Sequence, residues 1–353
     1  MDTRKRIKID DVAAAAGVSP ATVSRAINNP HMVRGSVRAR ILELAENMGY
    51  SADGAARALA TRRSQAVGAI IPTLDNAMFA RIIDGLQRHL YKSNYMLLLA
   101  SSDYDPEKEF RNARVMLERS VDGLMIVGAV HDPRLYKLLE ASGVPFVQTL
   151  APARASPHPS IGYDSDTVAQ LVVGYLRGLG HRDFGLVVGH TAFNDRVAAY
   201  IESVRKVLDS FDIKLAPDRV LHRQYTVEEG GNALQQLVRQ GPLPSAIIAG
   251  NDTLAFGLIH EAQLQGLSIP GDLSIVGLGD SEFAANLPRP LTTVRTPKSE
   301  IGRLAADYLL GRIENRTVNL PGEMQVELVV RSTTGRPAVA APSPAKARNK
   351  TLA

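Results

Sequence analysis

An all-α head followed by an α/β body with parallel sheets in two lobes is the fold class this sequence predicts. Three observations carry that expectation. Basic residues outnumber acidic ones eleven to six up to Ser64 and are matched thirty to thirty beyond it, so the net charge of +5 sits at one end. Residues 9–28 hold two short helical stretches separated by Gly17-Val18. From Gln65 onward, continuous apolar runs alternate with amphipathic helical stretches, the mark of parallel strands covered on both faces.

A chain of 353 residues exceeds one ordinary domain. Its 45% hydrophobic and 22% charged residues allow a core of normal size. The absence of cysteine removes disulfides, thiolate metal sites and Cys nucleophiles, and suits a reducing cytosol. Met1 to Asp11 is charged rather than a signal-peptide core. The longest apolar runs, such as Tyr95–Ala100 and Leu124–Val127, fall far short of the ~20 residues of a membrane helix. The expected location is cytoplasmic.

In the head, Ala13 is small where two helices cross, Gly17 can take the positive φ of a tight turn, and Val18 and Val23 close a small core. Ser19 is a good N-cap and Pro20 a good first helical residue, so a second helix is predicted from Pro20 to about Asn28. A third runs roughly from Ser36 to Met48, with Val37, Ile41, Leu44 and Ala45 on one face and Gly49 as its stop. This is the helix-turn-helix pattern, whose second helix enters the major groove of DNA by its N-terminal part. The exposed candidates there are Pro20, Ala21, Ser24 and Arg25. Arg25 is suited to a guanine edge, with a phosphate contact or a solvated surface position as its plainer roles.

The run Asp11-Val12-Ala13, Ala16-Gly17-Val18-Ser19, Thr22-Val23-Ser24-Arg25 and Asn28 resembles the head of the lac-repressor/galactose-repressor (LacI/GalR) family. Gly49-Tyr50 and Ala56-Arg57-Ala58-Leu59, similar to the family's hinge segment, extend the match. The resemblance implies DNA contacts by Thr22, Ser24 and Arg25, with Pro20 and Ala21 at the positions that vary with operator sequence. Ser19, Asn28 and Arg57 join that set, and Leu59 takes the place of the wedge that paired hinge helices push into the minor groove. Asp53 to about Thr61 is too short for a stable helix in water, so it is expected to order only against a partner hinge and DNA. Gly54 and Ala55 depart from the bulkier family pattern and weaken that helix.

The body resembles the same family's two-lobed, periplasmic-binding-protein-like (type I) sensing domain. The matching runs are Leu179-Gly180-His181-Arg182, Gly250-Asn251-Asp252, Asp272-Leu273-Ser274-Ile275-Val276-Gly277 and Pro290-Leu291-Thr292-Thr293-Val294. The expected organisation is a head over 1–50, a hinge over 51–64, the two-lobed domain over 65–336 and a disordered tail over 337–353. Lobe 1 is expected at about 65–163 and 293–323, and lobe 2 at about 164–291 and 324–336.

Ligands of such folds sit between the lobes, at the carboxyl ends of strands. Carried over by position, the effector candidates are Asn76, Phe79 as an apolar platform, Arg196, Asn251, Asp252 and Asp280. Asn251 and Asp252 also suit a helix cap, and Asp280 a turn. Gly279 stands where the family often has a carboxylate, and Gln148, Thr149 and Leu150 stand where another is usual. A cleft that keeps Arg196 while losing acids favours a sugar acid such as a hexonate over a neutral sugar.

An enzyme is not expected. The sequence has no Gly-x-Ser-x-Gly elbow, no phosphate loop and no His-Glu-x-x-His run, and Gly277-Leu278-Gly279 is only half a dinucleotide motif. A free solute-binding protein would share the body but not the basic head. No catalytic residue, cofactor or metal is expected. The reading is a homodimeric repressor on a palindromic double-stranded DNA operator, released by a small sugar or sugar-acid inducer; a corepressor-dependent regulator is the alternative. The tail lacks a leucine repeat that would assemble four chains.

Overall fold

The computed structural model describes residues 7–28, 30–50, 63–152, 154 and 156–338. The expected hinge helix, with Arg57 and Leu59, lies outside the described residues, as does the tail from residue 339. The chain divides into two compact units, Met1–Ser64 and Gln65–Ala353.

The first unit is built of α1 (Ile9–Ala16), α2 (Pro20–Asn28) and α3 (Gly35–Asn47). Gly17 ends α1 in the left-handed region at φ 62°, letting the Val18 N–H reach back to the Ala13 carbonyl at 3.0 Å. Ser19 Oγ then accepts the Thr22 N–H at 3.2 Å and shares a 2.9 Å bond with the Thr22 hydroxyl, fixing the start of α2. Val12, Ala13, Ala16, Val23, Ala26, Ile41 and Ala45 form the core. Two arginines of α3 serve this fold. Arg38 donates to the Ala26 carbonyl at 3.1 Å and Arg40 to that of Ala16, placing cations at the negative ends of α2 and α1.

The second unit holds two sheets. The first has the order β2-β1-β3-β4-β5, all parallel, from β1 (Ala66–Ile71), β2 (Met96–Ser101), β3 (Gly123–Val127), β4 (Phe146–Thr149) and β5 (Ser160–Ile161). Between these strands run α4 (Ala77–Lys92), α5 (Pro106–Glu118) and α6 (Pro133–Ser142). The period of two decides the faces. Val67, Ala69 and Ile71 point to a core with α4, whereas Ile70, Leu124 and Ile126 point to one with α5 and α6.

The second sheet has the order β11-β10-β9-β8-β6-β7. Its strands are β6 (Phe184–Val188), β7 (Val220–His222), β8 (Ala246–Ala249), β9 (Ser274–Gly279), β10 (Thr292–Arg295) and β11 (Glu327–Val329), of which β11 alone is antiparallel. On one face lie α7 (Ser165–Leu179) and α8 (Asp195–Asp209), on the other α9 (Val227–Gln240) and α10 (Asp252–Leu264). A short α11 (Glu282–Asn286) follows β9. The chain returns to the first lobe with α12 (Lys298–Ile313), which packs on α4.

One expected boundary moves. Thr292–Arg295 pairs with Val276–Gly279 of the second sheet, so the crossing falls after Arg295 rather than at 293. In each lobe two helices meet backbone to backbone through glycines. A Cβ on Gly302 of α12 would strike the Ile82 carbonyl, and one on Gly85 of α4 the Ser299 carbonyl. A Cβ on Gly230 of α9 would lie 2.9 Å from Gly257 Cα of α10.

Candidate functional site

In the head, the N-terminal end of α2 faces outward. Ser19, Pro20, Ala21 and Arg25 are exposed and Thr22 and Ser24 half-exposed, while Val23 and Ala26 point into the core. The capped start of α2 thus presents short polar side chains and one guanidinium on a single rigid helix end. Asn28 ends the same helix.

In the body, the loops at the carboxyl ends of the strands enclose a cavity of about 630 Å³. Met78, Tyr104, Ala129 and Leu150 line it from the first lobe, and Val188, Asn194, Arg196 and Tyr225 from the second. Two adjoining voids of about 420 and 490 Å³ share Tyr104 and Asn194 with it.

Arg196 stands in the wall of this cleft with 17% of its side chain exposed. Its Nη1 is 3.5 Å from Asp195 Oδ1, and Tyr104 lines the same wall beside it. Burial raises the Tyr104 phenol above its usual range although Arg196 pulls it down, so the hydroxyl is neutral at physiological pH. Burial likewise pushes Tyr163, at the crossing into α7, up to about 12. Asn194 Oδ1 and Tyr200 Oη are buried without a hydrogen-bond partner among the described residues. An unpaired buried group costs about 1–3 kcal/mol, so both favour a ligand that supplies partners.

Asp195 bridges the two lobes. Its Oδ2 accepts the Ala129 N–H at 2.7 Å and the Val130 N–H at 3.2 Å from the loop after β3. Gly128, at φ 101°, makes room for this clasp, because a Cβ there would lie 2.8 Å from Asp195 Oδ1. The loop is braced from behind by His131, whose Nδ1 is 2.8 Å from Glu109 Oε2 and whose Nε2 is 3.1 Å from the Gly128 carbonyl. Both ring nitrogens face acceptors, which calls for the doubly protonated ring. Burial works against that charge, yet the Glu109 bond and charge, the Gly128 carbonyl and Asp195 leave the His131 pKa raised.

Of the other effector residues expected from sequence, only Asn76 lines one of these voids, and its side chain also caps α4 by accepting the Met78 N–H at 3.0 Å. Four are corrected. Phe79 is fully buried among Ile82, Ile83 and Leu86, because its helix turns that face to the core. Asn251 caps α10 by accepting the Leu254 N–H at 2.9 Å. Asp252 is 4% exposed and its oxygens are filled by the Thr293 hydroxyl at 2.5 Å and the Ser281 N–H at 2.6 Å. Asp280 is spent on Arg295 at 2.7 Å and Arg331 at 2.6 Å. Burial opposes the charge of Asp280, but the two guanidiniums hold its carboxyl below the usual range. The loop from Leu74 to Phe79 is expected from sequence to line the cleft and does so through Met78, whereas sequence reasoning missed Tyr104, Tyr163 and Tyr225 as cleft walls. Their positions just past strand ends were the available signal.

The model of bacterial regulatory proteins of the lacI family matches residues 8–53, and that of a periplasmic binding protein-like domain matches residues 173–334. Catabolite control protein A of Priestia megaterium is 30% identical over 313 residues, covering 89% of this chain and 94% of the relative. The chain belongs to the LacI family. The ribose operon repressor of Haemophilus influenzae is likewise 30% identical, over 88% of this chain and 92% of its own length. A LacI-family transcriptional regulator from Silicibacter pomeroyi superimposes with a TM-score of 0.85 at 26% identity, covering 94% of this chain and all of that one. The lac repressor dimer bound to operator shares the fold at a TM-score of 0.84 and 24% identity, with the same coverage. This LacI-family protein is a DNA-binding transcriptional repressor and not an enzyme.

Proposed function

We propose that the protein is a homodimer that sits on a palindromic operator and leaves it when a small sugar acid enters the cleft. The observation that carries the ligand class is Arg196, a cation in the cleft wall whose one ion-pair partner among the described residues, Asp195, is already bound to two backbone N–H groups. Where the family often carries a carboxylate, Gly279 has no side chain, and Gln148 and Thr149 are buried in the first lobe. A second reading, a neutral sugar, is favoured by the 3.5 Å approach of Asp195 to Arg196 and by the name of the ribose operon repressor relative.

Ser19, Pro20, Ala21, Thr22, Ser24, Arg25 and Asn28 of α2, with Arg57 and Leu59 of the 51–64 segment, are the proposed DNA contacts. Two-fold pairing of protomers matches two half-sites, and ligand shifts the spacing of the paired heads through that segment. Edge strand β2 and the end of α4 expose Met96, Leu99 and Tyr91, apolar surface that suits a second copy of the chain. Coupling of about 1–3 kcal/mol between ligand and DNA is the ordinary scale of such linkage.

Fluorescence anisotropy with a palindromic DNA carrying a central C-G step tests the reading, run with and without gluconate. Release by gluconate, lost in Arg196→Ala, supports it. Tighter DNA binding with gluconate selects the corepressor alternative. Release by glucose but not by gluconate selects the neutral sugar.

A further inference from the structure

The cleft does not end at Arg196. Among the side chains of α8 that line it, Asp195, Arg196, Ala199, Glu202, Ser203 and Lys206 share one face of the helix at steps of three and four, with Tyr200 beside them. From Asp195 to Lys206 that face is about 16 Å long at 1.5 Å per residue. The cavity therefore runs as a groove along α8 from Arg196 outward. Arg196 marks the inner end, where an adjoining void shares it, while Ala199 and Lys206 at the outer end are exposed. A volume of about 630 Å³ corresponds to roughly 20 water molecules at ~30 Å³ each, more than one six-carbon acid fills.

The outer half differs chemically from the inner half. Its middle is walled by the rings of Tyr163 and Tyr200 beside the small Ala199. At its mouth, Asp166 accepts from Ser203 at 2.6 Å and from Lys206 at 2.8 Å, and Arg154 reaches across to Asp164. Each cation there is already matched by an acid, so the mouth has no spare positive charge for a second carboxylate. It has carboxylate and ammonium groups at the surface, and the Ser203 hydroxyl and the side chains of Tyr163 and Tyr200 beneath them.

We propose that this outer groove is a second subsite, which takes an uncharged sugar ring joined to the acid held at Arg196. The effector is then a glycosylated sugar acid rather than a single hexonate. This rests on the sugar-acid reading for the Arg196 end only. The ring seats its apolar face on Tyr163 and Tyr200 and turns its hydroxyls to Ser203, Asp166 and Lys206. Small Ala199 leaves the passage between the two halves open.

Calorimetric titration of the full-length protein with gluconate and with cellobionate, which is gluconate carrying a glucosyl unit, tests the subsite. Cellobionate is expected to bind about tenfold tighter, the equivalent of ~1.4 kcal/mol. Ala199→Trp, a change at an exposed wall position, is expected to bring the ratio of the two affinities close to one. Because the measure is a ratio, a general loss of folded protein does not mimic it. Equal affinities in the wild type, or a ratio untouched by Ala199→Trp, overturn the subsite. Arg196→Ala tests the other end, and there both acids weaken together with their ratio kept. If cellobiose exceeds glucose by the same ratio while neither acid is preferred, the groove stands and the acid reading falls. Binding of none of the four compounds removes both.

Discussion

Replacing Asp195 by alanine cuts the one carboxylate described above as bridging the two lobes across the cleft. Its Oδ2 takes Ala129 N–H at 2.7 Å and Val130 N–H at 3.2 Å, with 19% of the side chain exposed. A hydrogen bond to a charged group contributes about 1.5–3 kcal/mol and an ordinary one about 0.5–1.5 kcal/mol. The short bond counts as the first kind and the longer one, at the edge of the cleft, as the second. Their sum is about 2–4.5 kcal/mol, and water that re-solvates the parted groups keeps the result near the lower value. At ~1.4 kcal/mol per tenfold, the balance between closed and parted lobes then shifts by at least about 30-fold. Small-angle scattering of ligand-free wild type and Asp195→Ala reads this directly, the variant having the larger radius of gyration. Titration with a neutral sugar separates the clasp from the local charge on Arg196, and the affinity falls as the closed population falls. Superimposable scattering curves together with equal sugar affinities refute the clasp.

Other outcomes follow from the same geometry. Asp252→Ala strips Thr293 and Ser281 of their acceptor and is expected to cost about 3–5 kcal/mol in urea unfolding, the scale of breaking a buried charged contact; a loss below about 1 kcal/mol returns Asp252 to the list of ligand groups. Phe79→Ala is expected to cost about 3–5 kcal/mol, as large-to-small changes in a closed core do. In the head, Ser19→Ala lowers the melting stability of the domain by about 1 kcal/mol through its cap. Arg25→Ala weakens the preferred operator by about 1–3 kcal/mol if it reads a guanine, and weakens all DNA alike if it meets phosphate. His131 has a folded pKa above the usual 6.5, so its contribution is complete below about pH 6.5 and is lost as pH rises through the folded value. Unfolding curves of wild type and His131→Gln across that window should converge with rising pH, and a constant gap contradicts the bracing role.

The fold was open to reading because its local signals agree with one another. Gly17, Ser19 and Pro20 mark a turn, a cap and a helix start in consecutive steps, and the third helix lies within a residue of its expected ends. The strands are continuous apolar runs, as sheets buried on both faces require. The cleft was less open. A polar residue at a strand end can face the ligand or the neighbouring crossing, and Asp252 and Asp280 chose the hydroxyls and guanidiniums of the crossing. Phe79 was legible in principle, since Phe79, Ile82, Ile83, Leu86 and Leu90 form the apolar stripe of one helix. The clasp was not, because it pairs a side chain at residue 195 with backbone at 129 and 130.

The glycine crossings of α4 with α12 and of α9 with α10 bear on how a message can travel. Helices whose backbones touch have no layer of side chains that could slide or repack between them. Each of these helix pairs therefore behaves like one cast piece within its lobe, and a push on one helix moves its partner. The natural joints between such pieces are the three crossings of chain from one lobe to the other. A sensor made this way reports by tilting, with the joints setting the path and the Asp195 clasp its resting angle.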